Sequence, residues 1–181
     1  MAEESIKIYT RTGDAGSTGL LGSKRVNKES LRIAAVGDVD ELNCQLGIIH
    51  SLSSDGQVMD LLTEVQNLLF ELGAELAKPD SSRLLPSHAT RLEQFIDQLQ
   101  EALPPLRNFL LPGGCPTAAQ CHLARAVCRR AERSLFQLSR SEHVNAVSLQ
   151  FINRLSDLLF VLARSINQRE GTADVLWKSE L

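Results

Sequence analysis

Four arginines fall within nine residues of the segment CHLARAVCRRAERSLFQL, whose apolar residues otherwise recur at helical spacing. They are Arg125, Arg129, Arg130 and Arg133. On a helix turning about 100° per residue, Arg125 and Arg129 share a stripe with Glu132, and Arg133 lies beside it. A guanidinium presents a planar fork of donors to phosphate oxygens, so this stripe indicates a site for a polyanion such as a nucleotide phosphate chain. The alternative interpretation is a solvated helix face that carries ion pairs, and the segment alone does not decide between this face and a polyanion site.

A second candidate anion site is the glycine-rich stretch TRTGDAGSTGLLGSKR, residues 10–25. Its glycines let the backbone bend and bring N–H groups close to an anion, and its hydroxyls add donors. It is not a Walker A loop, because Ser23 separates Gly22 from Lys24 where that pattern needs adjacent residues. A flexible linker is the alternative interpretation. The basic residues Arg11, Lys24 and Arg25 favour anion binding instead.

Composition narrows the class of protein. A chain of 181 residues, 43% hydrophobic and 23% charged, predicts one globular domain over residues 1–181. A formal net charge of −3 argues against a nucleic-acid binder. We find no apolar run of about 18 residues and no signal-peptide pattern in MAEESIKIYT, so we expect a cytoplasmic protein without a membrane span. The four cysteines lack CxxC spacing, which predicts buried, reduced thiols and no zinc site.

Apolar periodicity predicts an all-α fold, an antiparallel bundle of five helices. The predicted helices span roughly 37–52, 59–76, 87–103, 117–141 and 144–168. Acidic residues in the first turn of the predicted first helix, such as Asp38 and Asp40, are expected to cap it, and Thr117 is expected to cap the fourth helix. Residues 1–5 and 80–83 are predicted to be disordered and residues 170–181 to form a flexible tail, although Trp177 suggests docking. In the last helix, Asn153, Asp157 and Arg164 form a polar stripe that is predicted to face the arginines.

Five segments carry a resemblance to a known family. They are TRTGDAGST (10–18), AVGDVDELN (35–43), FLLPGG (109–114), ARAVCRRAER (124–133) and FINRLSDLLFVLAR (151–164). The chain resembles the PduO-type ATP:corrinoid adenosyltransferases over nearly its whole length. The resemblance implies a homotrimer of ferritin-like five-helix bundles, with ATP bound between neighbouring subunits and cobalamin in an adjacent pocket.

The resemblance also implies roles for individual residues. Residues 1–28 would hold the loop that wraps the triphosphate, through Thr10, Arg11, Thr12, Gly13, Thr18, Gly19 and Lys28. The late helices would complete the ATP site through Arg129, Arg130, Ala131, Glu132, Arg133 and Asn153, of which Arg129, Glu132 and Asn153 would be catalytic. Mg²⁺ would sit on the phosphates with few protein ligands. Asp40 and Arg125 would pair across two subunits, which displaces the capping role of Asp40, and Phe109 would lie beneath the corrin.

The implied reaction is attack by cob(I)alamin on the 5′ carbon of ATP, giving adenosylcobalamin and inorganic triphosphate. The protein would position the reactants and stabilise the leaving triphosphate. A flavoprotein reductase and a downstream cobalamin-dependent enzyme are the expected protein partners. Two alternatives remain: an ATP-dependent phosphoryl transferase, disfavoured because no Walker pattern or carboxylate pair is present, and a non-catalytic helical adaptor that binds acidic partners.

Overall fold

The computed structural model describes residues 8–22, 25–78 and 81–178, and within them the chain is almost entirely helical. The five helices are α1 (Leu31–Leu52), α2 (Gly56–Ala77), α3 (Pro86–Glu101), α4 (Pro116–Ser139) and α5 (Ala146–Arg169). A short antiparallel hairpin of β1 (Ser17–Gly19) and β2 (Arg25–Asn27) precedes them. The all-helical prediction is therefore confirmed, and the hairpin is an addition to it.

The helices pack around one apolar core. α1 lies against α2 and α4, and α5 lies against α3 and α4. Leucine, isoleucine and alanine side chains recur every three or four residues on the inner face of each helix, so burial of that face holds the bundle together. Contacts such as Arg130 to Asp38 and Gln120 to Gln45 show that α1 and α4 run antiparallel. α3 runs parallel to α5, as the contacts of Glu93 with Arg154 and of Ala102 with Gln168 show.

α5 has more buried residues than any other of the five helices. It is long and apolar enough to cross a membrane by length and composition, with a mean hydropathy of 1.4 over its most apolar window. Its apolar side chains, among them Phe151, Leu155 and Leu162, are instead buried by the other helices. Packing within the bundle thus accounts for the apolar character of α5.

α1 begins six residues earlier than the sequence predicted. Ser30 is its N-cap, and its Oγ accepts a hydrogen bond from the Ile33 backbone N–H at 3.4 Å. The first turn contains no acidic residue, so the predicted capping role of Asp38 is wrong. Asp38 lies two turns into the helix, where its carboxylate contacts α4. The earlier start moves Asp38 from the helix end to the helix–helix interface.

The beginning of α4 also differs from the prediction. Cys115 is the N-cap and Pro116 the first helical residue, a position where the missing N–H of proline costs nothing. Thr117 therefore lies inside the helix and does not cap it. Its hydroxyl donates to the Leu52 carbonyl at 3.4 Å, which joins the start of α4 to the end of α1.

Several segments that the sequence predicted to be disordered or flexible form defined contacts in the structure. Arg83, in the predicted disordered tip, donates its backbone N–H to Glu75 and pairs with Glu71, so that prediction is wrong for residues 81–83. Residues 174–177 of the predicted tail lie against residues 109–111. Residues 1–7, Ser23, Lys24, Pro79, Asp80 and 179–181, with the predictions made for them, lie outside the described residues.

The prediction of buried thiols is confirmed for Cys121 and Cys128 and is wrong for Cys44, while Cys115 is half-buried. All four thiols are free, and Cys121 and Cys128 are buried, while Cys44 is exposed on α1. Burial, with a smaller contribution from the neighbouring Cys115, raises the pKa of the Cys121 thiol to about 12. That thiol is therefore neutral and unreactive at pH 7.

Candidate functional site

The glycine-rich stretch forms a compact loop around the hairpin. Arg11 and Gly16 take positive φ values of 58° and 83°, which turn the backbone back on itself. The Lys28 N–H then donates to the Gly16 carbonyl at 2.9 Å. A Cβ at Gly13 would lie only 3.3 Å from Lys28 Nζ, so the glycine allows the lysine side chain to approach the loop. The loop thus presents the Lys28 ammonium beside Gly13, two residues named from the resemblance.

Arg25 organises this loop from within. Its Nη2 donates to the Thr12 carbonyl at 2.7 Å and to the Ser17 carbonyl at 3.0 Å. The same nitrogen also reaches the Ser17 hydroxyl at 2.9 Å. The sequence indicated Arg25 only as a positive charge near glycines, and its actual partners are backbone carbonyls that no side-chain pattern reveals.

The four arginines of α4 divide into two groups. Arg130 points toward α1, where its Nε donates to Asp38 Oδ1 at 3.2 Å and its Nη2 contacts Glu41. Arg125 and Arg129 instead line a cavity of about 470 Å³ between α3, α4 and α5. Arg133 is exposed, and its Nη1 donates to the Arg129 carbonyl at 3.0 Å. Internal acids therefore neutralise Arg130 and leave Arg125, Arg129 and Arg133 without a carboxylate partner in the described part of the chain.

The environment of Arg125 is electrostatically unfavourable. Its Nε is buried and has no hydrogen-bond partner within the described residues. Burial, and then the nearby charge of Arg129, lower the pKa of the Arg125 guanidinium. A buried donor without an acceptor destabilises a fold, so this arginine indicates a site that another molecule or subunit completes.

Glu132 and Asn153 join α4 to α5 at the edge of this region. Asn153 Nδ2 donates to Glu132 Oε1 at 2.8 Å. The structure thus brings together two of the three residues predicted to be catalytic. Glu132 is oriented by an amide and is not paired with an arginine, in contrast to the ion pairs of the alternative interpretation.

The predicted polar stripe of α5 does not face the arginines as a unit. Asn153 meets α4, and Asp157 lines the same cavity as Arg125 and Arg129 while it pairs with Arg154 at 2.9 Å. Arg164 points to the opposite end of the bundle, where its Nε donates to Asp174 Oδ2 at 2.9 Å. The prediction is wrong for Arg164, because the segment after α5 folds back and supplies an acid.

Several predicted partners lie apart within the single chain. Asp40 is exposed on α1, and no ion pair joins it to Arg125 within the described residues. In the same residues, no hydrogen bond joins the loop 10–19 to the side chains of 129–133. Ala131, also named from the resemblance, is fully buried in the core.

Phe109 is the most exposed large apolar side chain of the loop 103–115, which joins α3 to α4. It is 79% exposed, and its ring meets the edge of Trp177 with centroids 6.2 Å apart and planes at 77°. Both rings line an open cavity of about 520 Å³ with residues 106–108. An exposed aromatic pair beside a cavity can bind the face of a large planar ligand.

The described residues hold no ready-made metal centre in this site. In residues 8–22, 25–78 and 81–178, no group of three or more His, Cys, Asp or Glu side chains is placed to hold a metal ion.

Comparison with known proteins extends these observations. The family model described as cobalamin adenosyltransferase matches residues 8–166. The chain is 48% identical over 183 residues to a cobalamin adenosyltransferase of Cupriavidus metallidurans, covering 99% of this chain and 98% of that protein. It is 40% identical to a corrinoid adenosyltransferase of Bacillus subtilis, covering 94% and 91% of the two chains.

A solved structure is similar over nearly the whole fold. It is a phenylalanine-to-alanine variant of a PduO-type ATP:corrinoid adenosyltransferase from Lactobacillus reuteri, complexed with cobalamin and ATP. The two chains are 39% identical with a TM-score of 0.92, and the match covers 96% of this chain and 100% of that one.

Proposed function

This chain belongs to the cobalamin adenosyltransferase family, and we propose that it builds its active site between identical subunits. The enzyme catalyses ATP-dependent adenosyl transfer to a corrinoid. The observation that carries the proposed site is the group of α4 arginines left without internal acids, beside the buried and unpartnered Nε of Arg125.

In the proposed nucleotide site, the loop wraps the triphosphate with Thr10, Arg11, Thr12, Gly13, Thr18, Gly19 and Lys28. The α4 side of a neighbouring subunit supplies Arg129 and Arg133, and the Glu132–Asn153 hydrogen bond orients the carboxylate between them. Arg130 and Ala131 hold this segment of α4 in place, since Arg130 pairs with an acid of α1 and Ala131 packs in the core. Cations fixed before the reaction stabilise the charge that develops on the leaving triphosphate.

The proposed reaction is attack of cobalt, in the cob(I) state of the corrinoid, on the 5′ carbon of ATP. The cobalt–carbon bond forms as the bond from C5′ to the triphosphate oxygen breaks, and inorganic triphosphate leaves with the electron pair. No protein nucleophile takes part. Phe109 would lie against the corrin and exclude a lower axial ligand, which favours reduction of cobalt because the lower-valent state needs fewer ligands.

Mg²⁺ is proposed to enter with the nucleotide. Because the described residues offer no cluster of three ligands, phosphate oxygens and water would supply most of its coordination. When bound, the ion would neutralise part of the triphosphate charge. We further propose a cytoplasmic enzyme that receives its electron from a flavoprotein reductase and delivers adenosylcobalamin to a cobalamin-dependent enzyme.

Product analysis tests the reaction. The chain is incubated with ATP and pre-reduced cob(I)alamin, and the products are resolved by visible spectroscopy and anion-exchange chromatography. We expect adenosylcobalamin and intact triphosphate in equal amounts. Release of ADP would mean phosphoryl transfer, and absence of any ATP-dependent product would favour the adaptor alternative.

Sedimentation tests the proposed homotrimer. We expect a trimer for the wild type and weaker assembly for Asp40→Ala, since Asp40 is the proposed partner of Arg125 in the next subunit. Asp60→Ala, which removes an exposed acid of α2, is the matched control. An unchanged trimer and unchanged ATP affinity in Asp40→Ala would contradict the intersubunit pair.

A further inference from the structure

A polar cluster with two buried members and one partly buried member lies at the end of the bundle that carries Phe109. Arg164 and Asn167 stand on α5 and are only 6% and 2% exposed. Asp174, in the segment that follows, accepts hydrogen bonds from both: from Arg164 Nε at 2.9 Å and from Asn167 Nδ2 at 3.4 Å. We call these three residues the Asp174 cluster.

The cluster holds both ends of the loop 103–115. At the start of the loop, Arg164 Nη2 donates to the Pro104 carbonyl at 2.9 Å. At its end, Asn167 Nδ2 donates to the Gly113 carbonyl at 3.2 Å, and Asn167 Oδ1 accepts from the Cys115 N–H at 3.0 Å.

Gly114 shows how closely the loop approaches the cluster. Its φ is +109°, and a Cβ there would lie 2.0 Å from Asn167 Oδ1. A side chain at this position would therefore displace Asn167, and only glycine lets the backbone pass so near.

The same cluster fixes the segment that pairs with the middle of the loop. Immediately after Asp174, the Val175 carbonyl accepts from the Leu111 N–H at 2.9 Å. The Trp177 N–H then donates to the Phe109 carbonyl at 2.8 Å. Phe109 itself is exposed, so its position depends on these loop and tail contacts and not on core packing.

We propose that Arg164, Asn167 and Asp174 are positioning residues of the corrinoid reaction, which fix Phe109 by clamping its loop and the Trp177 segment together. This inference rests on the proposed function, in which Phe109 lies against the corrin. The clamp acts through Phe109, and none of its three members touches the corrinoid.

The test uses Asp174→Asn, which keeps the shape of the side chain and removes its charge. Arg164→Lys is a milder second variant, since lysine keeps the charge but cannot reach both Asp174 and the Pro104 carbonyl as the guanidinium does. Glu71→Gln, which breaks the exposed pair with Arg83, is the control for loss of an acid elsewhere. Trp177 is the only tryptophan in the chain, so acrylamide quenching of its fluorescence reports docking of the tail directly.

In Asp174→Asn we expect faster quenching of Trp177, with helix content unchanged by circular dichroism. We also expect the KM for the corrinoid to rise roughly 10- to 100-fold with the KM for ATP unchanged, because a buried hydrogen bond to a charged group contributes this much to an equilibrium. Arg164→Lys should show smaller changes of the same kind, and Glu71→Gln none.

Unchanged Trp177 quenching and unchanged corrinoid KM in a folded Asp174→Asn variant would overturn the clamp. If that variant does not fold, the same two measurements on Arg164→Lys decide the question. Should the wild type form no adenosylcobalamin, the proposed function fails, while the quenching measurement still tests whether the cluster holds the tail.

Discussion

Replacing Arg129 and Arg130 in turn separates nucleotide binding from helix packing, because the adjacent side chains point to different partners. Arg129 lines the cavity beside Arg125 without a carboxylate partner in the described residues. Arg130 forms ion pairs with Asp38 and Glu41. We therefore expect opposite effects on activity and stability from two substitutions one residue apart.

The magnitudes follow from these partners. Loss of one preorganised donor to a developing charge lowers kcat by about 10²- to 10³-fold, which we expect for Arg129→Ala. Its Tm without nucleotide should be unchanged or slightly higher, since repulsion with Arg125 is removed. Arg130→Ala loses two partly exposed ion pairs, together about 1 kcal/mol, which corresponds to roughly 2–4 °C in Tm for a chain of this size. Its kcat should fall far less than that of Arg129→Ala.

The assay is adenosyl transfer under saturating cob(I)alamin, with thermal unfolding followed with and without ATP. ATP at about 100 times its Kd should stabilise the wild type and Arg130→Ala by about 2.7 kcal/mol, and should protect Arg129→Ala much less. A kcat of Arg129→Ala within about threefold of the wild type would refute the assignment of Arg129 to the nucleotide site. The assignment is equally refuted if both variants lose the same activity.

Three further variants test separate parts of the molecule. Asn153→Ala removes the hydrogen bond that orients Glu132, and we expect roughly a tenfold lower kcat with little change in Tm. Phe109→Ala should slow the reaction from cob(II)alamin much more than from pre-reduced cob(I)alamin, and equal slowing in both assays would contradict its role. Asp55→Ala removes the N-cap of α2 and should lower stability by about 0.5–2 kcal/mol at pH 7 in thermal unfolding. Burial opposes ionisation of Asp55, but the N–H groups of the first turn and Arg169 lower its pKa below 3.8 overall. The deficit of Asp55→Ala should therefore be full at neutral pH and disappear as pH falls through that lowered pKa.

The helices were predictable because their buried faces repeat locally. The periodicity of residues such as Leu42, Leu46 and Ile49 indicated α1 without reference to any other segment. Its start was misplaced because acids such as Asp38 and Asp40 are typical of a first helical turn, and no neighbouring residue in the sequence reveals that Arg32 is buried. In the structure Arg32 is 3% exposed, pairs with Glu142 and donates to the Leu76 carbonyl, partners that lie far away along the chain.

The sequence predicted which residues share a face at the candidate site, but not where Arg130 and Arg164 point. Spacing on one helix placed Arg125 and Arg129 on a common face, and the structure agrees. It did not reveal that Arg130 meets acids of α1 some 90 residues earlier, because helix pairing decides that contact. The inward turn of Arg164 was missed for the same reason, since Asp174 reaches it only after the chain has folded back.

The division of the arginines also explains why a nucleotide suits the remaining face. Three acids line the cavity: Glu93 and Asp157 pair with Arg154, and Asp97 forms no ion pair within the described residues. Glu132 accepts a hydrogen bond from the Asn153 amide of α5. Arg125 and Arg129 form no ion pair within the described residues, so their charges remain unpaired after the internal pairs have formed. A bound triphosphate would relieve the repulsion between Arg125 and Arg129, so the interaction that stabilises the leaving group in catalysis would also stabilise the folded enzyme when ATP binds.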